Sequence, residues 1–185
     1  MGLTYIATGT ASGSPATISF TSGIDDTYNE YQFHLVNMHP SDDDALFHFQ
    51  VNSHDGSSQL TGFNEAIASS GFSAWHNEPS TSSGLGYESN LDQGVADQTY
   101  QTILMSQTGN DADQSASGIL TLYDPANTTH VKHWTSVGHG AHYQEYSIGL
   151  YFAGYIDTTY AITQIDFKFD SGNIDAGSIH MYGVG

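Results

Sequence analysis

The chain contains no cysteine and no arginine, and its only basic residues are Lys132 and Lys168, in a length of 185. Without cysteine there are no disulfides to staple the fold and no thiol nucleophile or thiolate metal ligand. Without arginine there is no bidentate clamp for a carboxylate or phosphate, which excludes most phosphoryl-transfer designs. Two lysines cannot displace counterions from a nucleic acid or form the basic patch that an anionic membrane needs, so neither is an expected partner. No apolar run approaches the ~18 residues of a membrane span. The N-terminus, Met1-Gly-Leu-Thr-Tyr-Ile6, lacks the basic start and apolar stretch of a signal peptide, and Ile6 breaks the myristoylation pattern. A Gly-x-Ser-x-Gly elbow is also missing.

What the chain has instead is acid. Twenty Asp and Glu give a formal charge of -18 at neutral pH. Self-repulsion at that charge weakens a compact domain unless salt screens it. At the ionic strength of seawater the Debye length is roughly 3–5 Å, and such a surface becomes tolerable. The composition therefore suits a salty exterior.

The residue pattern predicts an all-β protein. Short runs rich in Ile, Val, Tyr, Phe and Thr alternate with Gly, Ser, Asn and Asp turns. Strands are expected near 3–8, 16–21, 30–38, 45–53, 99–107, 116–123, 129–137, 147–156, 162–169 and 177–183. Phe47, Phe49 and Val51 alternate with His48 and Gln50, and Ile165, Phe167 and Phe169 with Asp166 and Lys168, as in half-buried strands. About 8–10 such strands in one domain, with uneven loops, point to an antiparallel β-sandwich of jelly-roll-like topology spanning residues 1–185. A long irregular excursion is expected at about 56–96. Its aromatics, Phe63, Phe72, Trp75 and Tyr87, are the candidates for covering the sandwich edge or for an interface between subunits.

Chemistry-bearing constellations are sparse. His130, His133, His139 and His142 cluster in sequence; His130 and His133 point to opposite faces of a strand, and His139 and His142 are the pair that a Gly138–His142 turn would bring beside Glu145, against the simpler reading of polar turn and outward-facing residues. Asp25-Asp26, Asp42–Asp44 and Asn110-Asp-Ala-Asp113 raise the question of a structural calcium ion, with Asp111 and Asp113 the best placed. Neither set matches a known ligand spacing, and solvated acidic turns are the simpler reading. No cofactor is expected. Paired carboxylates for glycoside hydrolysis exist in any acidic β-protein and carry no signal. Carbohydrate binding by exposed aromatics is the alternative that Trp75, Trp134 and the twelve tyrosines leave open.

Two segments carry a resemblance. Ile18-Ser-Phe-Thr-Ser-Gly-Ile-Asp25 with Tyr31-Gln-Phe-His-Leu-Val-Asn-Met-His-Pro40, and Ile165-Asp-Phe-Lys-Phe-Asp-Ser-Gly-Asn-Ile-Asp-Ala-Gly-Ser-Ile-His-Met-Tyr-Gly183, resemble small structural proteins of marine tailed bacteriophages. The resemblance implies a virion component without catalytic residues: a capsid decoration (cement) protein, commonly a homotrimer, or a tail or fibre appendage with a receptor-binding part. A virion is also where a chain without an export signal, made in the host cytoplasm and released by lysis, would meet a salty exterior. The partners implied are further copies of the chain and the major capsid or tail proteins of the same particle. The expected sandwich begins within a few residues of Met1, leaving no shaft, which favours decoration.

Overall fold

The computed structural model describes residues 2–60, 62–104 and 107–185. In chain order the strands are β1 (Leu3–Thr10), β2 (Ile18–Phe20), β3 (Glu30–Pro40), β4 (Phe47–His54), β5 (Ile67–Asn77) and β6 (Ser83–Tyr87). They continue as β7 (Gln101–Thr102), β8 (Ala116–Tyr123), β9 (Lys132–His142), β10 (Tyr146–Ile156), β11 (Ala161–Phe169) and β12 (Ile174–Val184). No helix occurs among the described residues. The strands form two antiparallel sheets, one in the order β1-β12-β3-β8-β9-β10-β5-β6 and the other β2-β11-β4-β7. They pack face to face as an all-β sandwich.

The topology follows from nested pairing. β3 pairs with β12, β4 with β11 and β5 with β10, so an antiparallel ribbon folds from one sheet to the other and back, as in a jelly roll. Alternating residues meet between the sheets, where Phe33 lies 5.5 Å and Phe47 6.2 Å from Phe167 between ring centroids. On β4 and β11 the apolar positions Phe47, Phe49, Val51, Ile165 and Phe167 are fully buried as expected, but Gln50 and Asp166 at the alternate positions are covered as well, so these strands are not half-buried.

The 56–96 stretch departs from expectation, because much of it is strand. β5 runs eleven residues alongside β10, and β6 pairs with β5 to form one edge of the large sheet. Glycine explains the disguise. Gly71 lies opposite Phe152 and Gly84 opposite Trp75, and in each pair the aromatic ring fills the place a side chain would take. The segment after β6 then returns beneath β5. Gln101 fixes it there, donating to the Leu91 carbonyl at 3.0 Å and accepting from Ser69 Oγ at 2.6 Å. The strand expected at 99–107 shrinks to β7; residues 105 and 106 lie outside the described residues.

Both cations are held in the body of the fold. Lys132 is fully buried at the start of β9 and donates to the His130 and Thr158 carbonyls at 2.7 and 3.2 Å. Burial lowers its pKa. Lys168, on the small sheet, sits 4.6 Å above the Tyr100 ring. The Tyr100 hydroxyl donates to buried Asp166 at 2.7 Å, and burial followed by that carboxylate raises the phenol.

Candidate functional site

Strand alternation turns half of each strand of the large sheet away from the core, and the register aligns those residues into rows. One row crosses all eight strands. From the β6 edge it runs Tyr87, Phe72, Tyr151, Val137, Ile119, His34, His180, Thr8, each directly opposite the next. Its first five members form an apolar ridge. Phe72 and Tyr151 stack with centroids 5.0 Å apart and planes 13° apart. The last three form a hydrogen-bonded polar end, where His180 Nδ1 lies 2.8 Å from Thr8 Oγ1 and His180 Nε2 3.1 Å from Ser178 Oγ. Burial, then the neighbouring His180, lowers the pKa of His34.

One step along the strands is a row of small residues, Ser70, Ala153 and Thr135. Small residues beside large ones leave a furrow of about 380 Å³, walled by Phe72, Tyr87, Tyr151 and Val137. On the opposite side of the ridge, Ala74, Gly149 and His139 make a second low row.

The apolar surface of the molecule is concentrated on this face. Among the described residues, every large hydrophobic side chain that is exposed belongs to it, apart from Val95 and Tyr160 in loops. Leu85 is 72 %, Tyr87 60 % and Val137 52 % exposed. Charge is segregated in the opposite sense. Of the twenty carboxylate residues only Glu30, Asp166 and Asp175 fall inside strands. Asp166 is buried in the small sheet, while Glu30 and Asp175 stand at the first and second positions of β3 and β12. The middle of the outer face is therefore neutral on a strongly acidic protein.

The candidate residues read from the sequence separate accordingly. Phe72 and Tyr87 come together on the ridge. Trp75 points to the inner side, edge-on to Tyr146 at 5.8 Å, and Phe63 is half-buried near Tyr100 and Lys168 on the small sheet. Sequence reasoning missed Tyr151, Val137 and Ile119, although each alternates with core residues on its own strand.

The meeting of His139 and His142 that such a turn would bring does not occur. β9 continues through His142 instead of turning at Gly138, so a spacing of three places the two rings on opposite faces. His142 Nδ1 accepts from the Gln144 N–H at 2.9 Å and its Nε2 faces Gln107 Oε1 at 3.0 Å. His139 Nε2 lies 2.8 Å from Ser147 Oγ, but among the described residues no carboxylate bonds its Nδ1, so the third member of a nucleophilic triad is missing. Asp111 and Asp113 are exposed in the 109–114 loop. Among the described residues no three His, Asp or Glu side chains assemble to hold a metal ion. Trp134 is buried over Gly154, whereas Trp75 is half-buried and lines a shallow pocket with Gln107, His142, Gln144 and Tyr146.

No protein-family model, no curated protein and no solved structure matches the chain.

Proposed function

We propose that this chain is a non-enzymatic structural protein of a bacteriophage particle, carried on the exterior as a capsid decoration protein and self-associating as a trimer. The observation that supports this most directly is the segregation of charge and apolar surface. Acidic loops keep the protein soluble and repel unwanted neighbours, while the middle of one sheet face, with Glu30, Asp175 and the Asp92 carboxylate bound by Tyr87 only at its margins, offers aromatic and aliphatic groups for adhesion. The phage resemblance of the two terminal segments supplies the setting. The shell surface that the protein grips is neutral or basic, since an opposing acidic patch would cost several kcal/mol.

Mass spectrometry and electron microscopy of purified particles test this reading through copy number. Hundreds of copies on the shell agree with decoration, and complete absence from particles overturns the virion reading. Particles lacking the protein are expected to assemble but to release DNA more readily on heating or dilution into low salt.

The exposed rings of Tyr87, Phe72 and Tyr151 favour a second reading, a tail or fibre appendage that binds carbohydrate. That reading predicts a handful of copies per particle and deletion particles that are robust yet fail to adsorb to cells.

A further inference from the structure

We propose that copies of this chain meet through the outer face of the large sheet, with the Phe72–Tyr151–Val137 ridge of one seated in the Ser70–Ala153–Thr135 furrow of another. This rests on the reading of the chain as an assembly component and names the surface that assembles it.

Charge selects the occupant. A basic partner would be drawn to the acidic loops, and an anionic ligand finds no cation on this face, because Lys132 is buried and Lys168 lies on the other sheet. The face therefore fits a partner surface that is itself neutral and apolar. A second copy supplies one, even though it carries -18 overall, because the middle of this face sets no strand carboxylate against its twin.

Shape agrees with charge. Ridge and furrow are neighbouring rows on the same strands, about 7 Å apart for a two-residue step. With ridge and furrow side by side on one face, the ridge of one copy can enter the furrow of the next, the head-to-tail contact that a closed ring such as a trimer repeats. The furrow's apolar walls and volume of about 380 Å³ receive aromatic side chains, and its floor of Ser70 and Ala153 is open to solvent in the single chain.

The absence of cysteine makes the test direct. The full chain is sedimented at tens of micromolar in about 0.5 M NaCl, where exposed charges are screened, beside Tyr151→Glu, with circular dichroism and melting recorded for both. An equimolar mixture of Val137→Cys and Ser70→Cys is then oxidised, with Asp55→Cys, on a loop away from the face, as the reference. The wild type is expected to sediment as an oligomer and Tyr151→Glu as a folded chain of 19.9 kDa. The ridge–furrow disulfide is expected to form about tenfold or more faster than the Asp55→Cys dimer. A monomeric wild type, or equal cross-linking rates, overturns the proposal. A monomer that is retarded on a neutral dextran matrix, and released by Tyr151→Glu, overturns it in favour of carbohydrate. A monomer that is nevertheless abundant on purified particles defeats this inference and leaves the virion reading standing; an oligomer absent from particles does the reverse.

Discussion

Phe152 of β10 lies directly opposite Gly71 of β5, and a Cβ on Gly71 would stand 2.6 Å from two atoms of its ring. The ring, only 3 % exposed, thus carries the core across a strand that has no side chain to offer at that point. Gly71→Ala is expected to overpack the site and to destabilise the protein by about 1–3 kcal/mol. Thermal unfolding should show Tm falling by roughly 3–10 °C. Phe152→Leu in the same background should recover part of the loss, because the two positions share one space. A Gly71→Ala protein that melts like the wild type would mean the ring is free to move aside.

The same relationship explains what could be read from the residues and what could not. β3, β4, β11 and β12 carry their own large side chains at alternate positions, so period and turns were legible and the sandwich followed. β5 and β6 borrow their packing from Phe152 and Trp75, and a Gly- and Ser-rich strand that depends on its neighbours looks like a loop from within. The ridge was half legible. Phe72 and Tyr87 stood out as aromatics in an apparent excursion, whereas Tyr151, Val137 and Ile119 needed the register of four strands to fall into line. His139 and His142 lie apart because the Gly-rich segment between them, which has the composition of a turn, continues β9.

Lys132 tests how far the fold relies on a buried cation. Its ammonium group satisfies the carbonyls of His130 and Thr158, and no part of the residue is exposed. Lys132→Ala removes the packing of the stem and leaves both carbonyls without this donor, each at about 1–3 kcal/mol if water cannot reach it. The variant should lose several °C in Tm, with faster hydrogen exchange in the 124–131 and 157–160 loops. Lys132→Met, which keeps the stem, should fall between the two. If Lys132→Met is as stable as the wild type, the ammonium contributes nothing beyond its carbon chain.

Acid should weaken the protein before its carboxylates protonate. His48, beside Lys168 across β4 and β11, is pushed down from the ordinary 6.5 to about 4 by burial, with Lys168 adding and Asp170 opposing. Burial also lowers His142, whose Nδ1 must stay unprotonated to accept from Gln144. The unfolded chain takes up protons near pH 6.5 that the folded chain refuses. Stability is therefore fully present above that pH and is lost as pH falls toward 4. In near-seawater salt, Tm is expected to decline between pH 7 and pH 5, and His48→Gln should reduce the slope. A Tm that rises over that interval would show that relief of carboxylate repulsion outweighs the histidines.

Carboxylate repulsion has its clearest local signature at Glu145, in the β9–β10 turn. Its pKa is raised chiefly by the charge of Glu78, with burial and the charges of Asp113 and Asp111 adding, and its backbone is left-handed at φ 62°. A carboxylate raised in the folded state opposes folding while it is ionised, so its penalty is present at neutral pH and fades as pH falls through the folded pKa. Glu145→Asn removes the charge and keeps a residue that tolerates the left-handed conformation. We expect the variant to be more stable at low salt, read as a rise in Tm. Near-seawater NaCl should shrink that gain, because screening relieves in the wild type what the substitution removes. The wild type itself should become more stable as NaCl rises: among the described residues no lysine pairs with a carboxylate and the one imidazole near a carboxylate is His39, 3.8 Å from Asp175, so screening removes more repulsion than attraction. Equal gains at low and high salt would assign the effect to the backbone alone. A wild-type Tm insensitive to NaCl, but lowered by EDTA, would show the acidic loops already neutralised by divalent cations.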